Sequence, residues 1–265
     1  MDLLEAYRQS MKGTPEERVQ RALEAAGDRP ALLGFDANGI QAMVTASKRP
    51  LANAGASELL LELDSEQREK PETVFAGGAR GLLVTDQERA EGEAQGLRDR
   101  FSDRTGGGVL ATAVVPYDAA HPGASLALFR MKMGLAKDAA RPPREPEVTS
   151  NAGVCPDCRS RPAEVDIRVG ADRVRICARC RDAIEKGRDE RRKHERALAA
   201  RGQTLGEEPR SLEDLAEGSR IGVVSADGND LGVFFDGLET LQGYSAASFA
   251  VGHIVGEAHR AALEA

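Results

Sequence analysis

TVFAGGARGLLVTD, residues Thr73 to Asp86, reads as two short apolar runs joined by Gly-Gly-Ala-Arg-Gly. Two such runs around clustered glycines predict a β-hairpin with a tight turn, tip at Gly77 and Gly78. Upstream, ALLGF after Pro30 is an apolar run of strand length, followed by DANGI. The next segment, QAMVTASKRPLANAGASELLLELDSEQ, has helical composition with an interruption near Pro50. Downstream, ERAEGEAQGLRDRFSDRT reads as a polar helix ending at Gly106, Gly107 and Gly108, and GVLATAVVPYD supplies another strand.

The resulting order of strand, helix, strand, strand, helix, strand is the ferredoxin-like arrangement on which polymerase and cyclase palms are built. The fold class is therefore α+β. Residues 1–29 precede it with apolar positions at helical spacing, among them Leu3, Leu4, Val19 and Leu23. A helix, ASLALFRMKMGLAKDAA, follows the last strand and gives way to RPPREPEVTSNAG, a Pro-rich linker. The expected organisation is a helical segment at 1–29, the ferredoxin-like domain with its linker at 30–150, a cysteine module with a charged helix at 151–202, and a further incomplete domain at 203–265.

That last domain opens with a strand, IGVVSA, from Ile221. LLGFDANGIQAMV at Leu32 to Val44 aligns without gaps on VVSADGNDLGVFF at Val223 to Phe235, so Asp36 falls on Asp227 and Asn38 on Asn229. A strand-to-helix corner has been written twice. The second copy supplies a helix, YSAASFAVGHIVGEAHRAALEA, but no second glycine hairpin.

CPDC and CARC, separated by eighteen residues, carry all four cysteines of the chain. Two Cys-x-x-Cys knuckles at this spacing can turn four thiolates onto one tetrahedral zinc, with Cys155, Cys158, Cys177 and Cys180 as ligands. Two disulfides are the alternative, which a reducing compartment opposes. A closed four-thiolate site is structural, contributing folding energy to a stretch with few apolar residues.

Asp227, just past its strand, would project with the backbone N–H groups of Gly228 and Asn229. Asp230 is a second carboxylate there. This arrangement suits Mg²⁺ bridging nucleotide phosphates, whereas an Asp-Gly-Asn turn with Asp230 as a helix N-cap is the simpler reading. Asp36 likewise either contacts a ligand or caps the turn at DANG. AGGAR offers no acid at its tip, although a glycine turn permits close approach of backbone to a phosphate or base. His121, His194, His253 and His259 have no metal-site spacing and receive no role.

The net charge of −7 argues against a chain that coats nucleic acid with its whole surface. Between Gly153 and Gly202 fourteen Lys and Arg face nine Asp and Glu, so this segment is locally basic. The run EKGRDERRKHER fits either a solvated helix laced with ion pairs or a patch facing nucleic acid or a partner. The 41% apolar content fits a globular protein, and no window approaches the roughly 18 apolar residues a membrane helix needs. With no secretory leader at its start, the chain is expected in the cytoplasm.

GFDANGIQ, SKRPLANAGASELLLEL, VFAGGARGLLV, the CPDC and CARC pair and IGVVSADGNDLG, in that order, resemble the large palm-domain subunit of type III CRISPR effector complexes. The resemblance runs from about Leu32 to the C-terminus. It implies tandem GGDEF-like palms that bind ATP with Mg or Mn and make cyclic oligoadenylate when target RNA is bound, alongside other effector subunits and guide RNA. In that family the catalytic pair lies on a Gly-Gly-Asp-Asp hairpin of the second palm, assisted by the strand-end aspartate matched here by Asp227. This sequence has no such hairpin and no His-Asp phosphohydrolase motif. The expectation is an ATP-binding antiviral defence subunit, inactive alone, that is a fragment, half of a split protein or a degenerate member. A zinc-stabilised scaffold or RNA-complex subunit without nucleotide chemistry is the alternative.

Overall fold

The computed structural model describes residues 13–140, 153–169, 172–200, 202, 204 and 231–264. Pro15–Ala26 form α1, whose start is fixed by a capping box: the Thr14 hydroxyl accepts from the Glu17 N–H, and the Glu17 carboxylate accepts from the Thr14 N–H. Strand β1 (Pro30–Asn38) leads into a short helix, α2 (Ile40–Val44). The break expected near Pro50 is present, and Pro50 opens α3 (Pro50–Arg68) from its first turn, where a missing N–H costs nothing. The hairpin strands are β2 (Thr73–Gly77) and β3 (Arg80–Asp86), followed by α4 (Ala90–Thr105), β4 (Val109–Pro116) and α5 (Pro122–Ala139).

These strands form one antiparallel sheet in the order β2-β3-β1-β4. Both its faces are covered. On one face Leu60 and Leu63 of α3 and Ala94, Leu97 and Phe101 of α4 pack against Leu33, Phe35, Leu83 and Leu110. On the other, Val19 and Ala22 of α1 and Leu126, Phe129 and Met133 of α5 pack against Leu32, Val74, Leu82 and Val115. Double coverage explains why β1 is buried from Ala31 to Ala37 and reads as an unbroken apolar run instead of alternating.

The second half begins with a two-stranded hairpin, β5 (Val165–Val169) and β6 (Asp172–Ile176), and a long helix, α6 (Ala178–Ala199). Leu231–Asp236 form α7 and Leu241–Glu264 form α8. The sequence pattern does not reveal where α8 goes: Leu241 and Tyr244 are buried in the same core as α1 and α5. Tyr244 stacks on Phe75 of β2 with ring centroids 6.2 Å apart. Among the described residues no helix is long and apolar enough to cross a membrane. The expected IGVVSA strand lies outside the described residues, as does the linker between 141 and 152.

Candidate functional site

The two cysteine knuckles sit on opposite sides of the β5–β6 hairpin and converge. Cys177 is the N-cap of α6, and its sulfur accepts the Cys180 N–H at 3.5 Å, which turns both sulfurs of that knuckle to the same side. In the first knuckle the Arg159 N–H closes back on the Cys155 carbonyl at 2.9 Å, with Arg159 held at φ 57°. All four sulfurs lie within 4.8 Å of one another. Cys158 and Cys177 are 3.7 Å apart, far beyond an S–S bond and close to the roughly 3.8 Å edge of a tetrahedron with 2.3 Å metal–sulfur bonds.

Without a cation, this crowding distributes protons unequally. Hydrogen bonds from Cys177 and Cys180 pull the Cys158 thiol down, the bond to Cys158 pushes Cys177 up to about 11, and Cys180 rises further because it is bonded to both and buried. Four thiolates at this spacing need a cation, and the donor set can hold a metal ion such as zinc.

The module does not stand apart from the sheet. Ile167, Val169, Ile176, Ala183 and Ile184 share one core with Leu51, Ala52 and Ala56 of α3. Asp157, inside the first knuckle, is buried and accepts from Arg49 Nε at 3.0 and 2.9 Å. Arg179, inside the second, donates to the Met43 carbonyl at 2.9 Å, and Lys186 pairs with Glu62 of α3. A Cβ at Gly55 would lie 1.8 Å from the Ala183 carbonyl oxygen, and one at Gly187 would lie 2.0 Å from that of Leu51. The α3–α6 crossing is thus backbone against backbone.

A second cluster occupies one end of the sheet. The register sets Asp36 opposite Arg80 and Arg80 opposite Gly77, so three residues singled out by sequence, Asp36, Gly77 and Gly78, come together. Asp36 is not past the strand but inside it, paired also to Ala111 of β4. Its carboxylate is 2.8 Å from Lys137 Nζ and 3.7 Å from Arg80 Nε. The charge is therefore compensated from both sides, and Asp36 does not cap the DANG turn. Asn38 instead closes the end of α5, donating to the carbonyls of Lys137 and Ala140 at 3.0 and 2.6 Å.

The hairpin tip is a two-residue turn in which Gly78 has φ 66° and Ala79 φ 58°. Positive φ at both central residues is the geometry that matches strand twist, and a β-carbon at Ala79 makes it costly. Asp64 of α3, which sequence reasoning missed, offsets that cost: both its oxygens accept the Ala79 N–H, at 3.1 and 3.0 Å. Its spacing from Leu60 and Leu63 puts it on the buried face of α3, the one available signal.

Burial raises the Asp64 carboxyl to about 6, against the hydrogen bonds from Ala79 and Gly78 and the charge of Arg68, which pull it down. Between about pH 4 and pH 6 the folded chain keeps a proton that the unfolded chain has lost, so this group favours folding below about pH 4 and that contribution disappears as pH rises through 6. Its ionisation costs about 3 kcal/mol. Asp64→Asn is expected to flatten the fall in the urea midpoint between pH 4 and 7. An unchanged slope would show that another group carries it.

Asp227, Gly228, Asn229 and Asp230 lie outside the described residues. The helical halves of the two sequence copies do correspond: residues 40–44 and the aligned residues 231–235 are both helical.

No family model matches this chain, and no curated protein matches it. Among solved structures it is similar to a chain in the crystal structure of the apo Csm1–Csm4 cassette, at 15% identity and a TM-score of 0.36. That similarity covers 45% of this chain and 20% of the other, so the matched part spans about a fifth of that one's length.

Proposed function

We propose that this chain is a nucleotide-binding subunit of the cyclic-oligoadenylate synthase family of type III CRISPR effector complexes, acting in antiviral defence and inactive in synthesis by itself. The observation that carries this reading is the repeated Asp-x-Asn corner in the sequence on either side of a four-cysteine module, with residues 40–44 and the aligned residues 231–235 both helical. The strand order β2-β3-β1-β4, with α3 and α4 on one face, supports a ferredoxin-like palm. On this reading residues 30–150 are a first palm, 151–202 a module closed by structural zinc and 203–265 the start of a second palm.

ATP would meet the first palm through charge of a different sign from that expected. Because Asp36 is compensated by Lys137 and Arg80, its carboxylate does not compete for Mg²⁺ at this sheet end. The two half-exposed cations are available to phosphate oxygens, and Gly77 at the end of β2 and Gly78 in the turn allow backbone to approach. Mg or Mn accompanying the nucleotide would be held by Asp227 and Asp230, and Gly228 and Asn229 would offer N–H groups.

Calorimetric titration with ATP and Mg²⁺ tests this reading. Arg80→Ala and Asp227→Ala should each weaken binding by about tenfold, the worth of one charge-assisted hydrogen bond. Incubation with ATP should yield no cyclic or linear oligoadenylate, because the paired hairpin acids of a two-metal site are missing. Absence of ATP binding would favour the second reading, a zinc-stabilised scaffold within an RNA complex, to which the core shared by the module and α3 lends support.

A further inference from the structure

The positive charge of the 153–202 segment is not spread evenly over its surface. On α6 it is largely consumed: Lys186 pairs with Glu62 and Glu190, Arg191 with Glu195, Arg192 with Asp189 and Lys193 with Glu190. On the hairpin, where residues 165–176 carry three Arg and two Asp, the arginines are not paired in this way.

Strands β5 and β6 turn Ile167, Val169 and Ile176 inward to the shared core and leave Asp166, Arg168, Arg173 and Arg175 exposed on the outer face. The register sets Arg168 directly opposite Arg173 and Asp166 opposite Arg175. Two like charges facing each other across an antiparallel pair destabilise it. Among the described residues no ion pair to a carboxylate involves Arg168, Arg173 or Arg175. Arg188 of α6 adds a guanidinium at the same place, donating to the Arg168 carbonyl at 2.7 Å.

We propose that this outer face of the β5–β6 hairpin binds the phosphate backbone of single-stranded nucleic acid. A polyanion removes the Arg168–Arg173 repulsion, and guanidinium forks match phosphate oxygens in pairs. Arginines two residues apart along a strand stand about 6.6 Å from each other, near the spacing of successive phosphates on an extended strand. Such a surface reads no base, so recognition is independent of sequence and sensitive to salt. Only the expectation that RNA is present in the assembly rests on the CRISPR reading; the surface itself rests on charge and register.

The test uses the full, metal-loaded chain and a fluorescent oligouridylate, followed by anisotropy over a range of salt concentrations. Arg168→Glu with Arg173→Glu should weaken binding by at least about tenfold and flatten the log–log salt slope by about 0.7 for each phosphate that is no longer neutralised. Arg192→Glu with Lys193→Glu changes net charge by the same amount on the ion-paired face of α6 and should alter affinity less than about threefold. No binding by the unaltered chain at low salt, or equal weakening in both double variants, overturns the proposal. Neither outcome bears on ATP binding, which calorimetry reads independently.

Discussion

Gly55→Val should unseat the four-cysteine module from the sheet and cost about 3 kcal/mol or more. Overpacking a core is usually relieved when a neighbouring side chain rotates away, but here the added carbon meets backbone: the Ala183 carbonyl oxygen at 1.8 Å and the Gly187 nitrogen at 2.5 Å. Relief requires the two helices to separate, which exposes Leu51, Ala52, Ala183 and Ile184 to water together and strains the Arg49–Asp157 pair. Urea unfolding should show the loss, and limited proteolysis should cut between 153 and 200 earlier than in the parent. Gly92→Ala is the matched control, since nothing lies within 4 Å of its added carbon in α4, and it should raise stability by about 0.5–1 kcal/mol. Equal stability of the Gly55 variant and the parent would mean that the module is not held by this crossing.

Removal of the metal should have an effect of the same order and should spread beyond its ligands. Cys180→Ser leaves three thiolates and a poor fourth donor, so the bound metal, expected at one ion per chain, should fall to near zero by elemental analysis. The expected loss is about 3–5 kcal/mol, because the sulfurs and the apolar side chains around them form one cluster with the first turns of α3. Hydrogen exchange in the variant should therefore rise around Ser47 and Arg49, whose partners lie inside the first knuckle, as well as at the cysteines. Exchange confined to 153–180 would indicate that the module folds independently.

What the sequence discloses follows from the range of each signal. The glycine cluster after Ala76 predicts its turn, Pro50 a break in the helical segment, and the Cys-x-x-Cys pairs their meeting point, because each acts within a few residues. Asp36 is harder to place: a strand covered on both faces carries no alternation to mark its end, so β1 continues through Asp36 to Asn38 where the pattern suggests a turn. The compensation of its charge is hidden because Lys137 lies about a hundred residues downstream. The same holds for Asp64, whose acceptor role is set by a hairpin fifteen residues away. Gly55 and Gly187, which no local pattern marks out, are the place where two backbones touch. Of the two readings of EKGRDERRKHER, the ion-paired helix describes the geometry of α6.

The position of α8 sets the order in which this protein can be assembled during synthesis. Arg18 of α1 donates to Ser245 of α8 at 2.9 Å across 227 residues, and the Ser245 hydroxyl donates to the Val74 carbonyl across 171. Pairings of such separation raise contact order and slow folding. At about 5–20 residues per second, some 10–35 s pass between the emergence of Val74 and that of Ser245 from the ribosome. Throughout that interval part of one apolar face of the sheet, including β2 at its edge, waits uncovered for its last helix. A nascent chain stalled before Tyr244 should accordingly present Val74 and Phe75 to chaperones, and release past α8 should end that association.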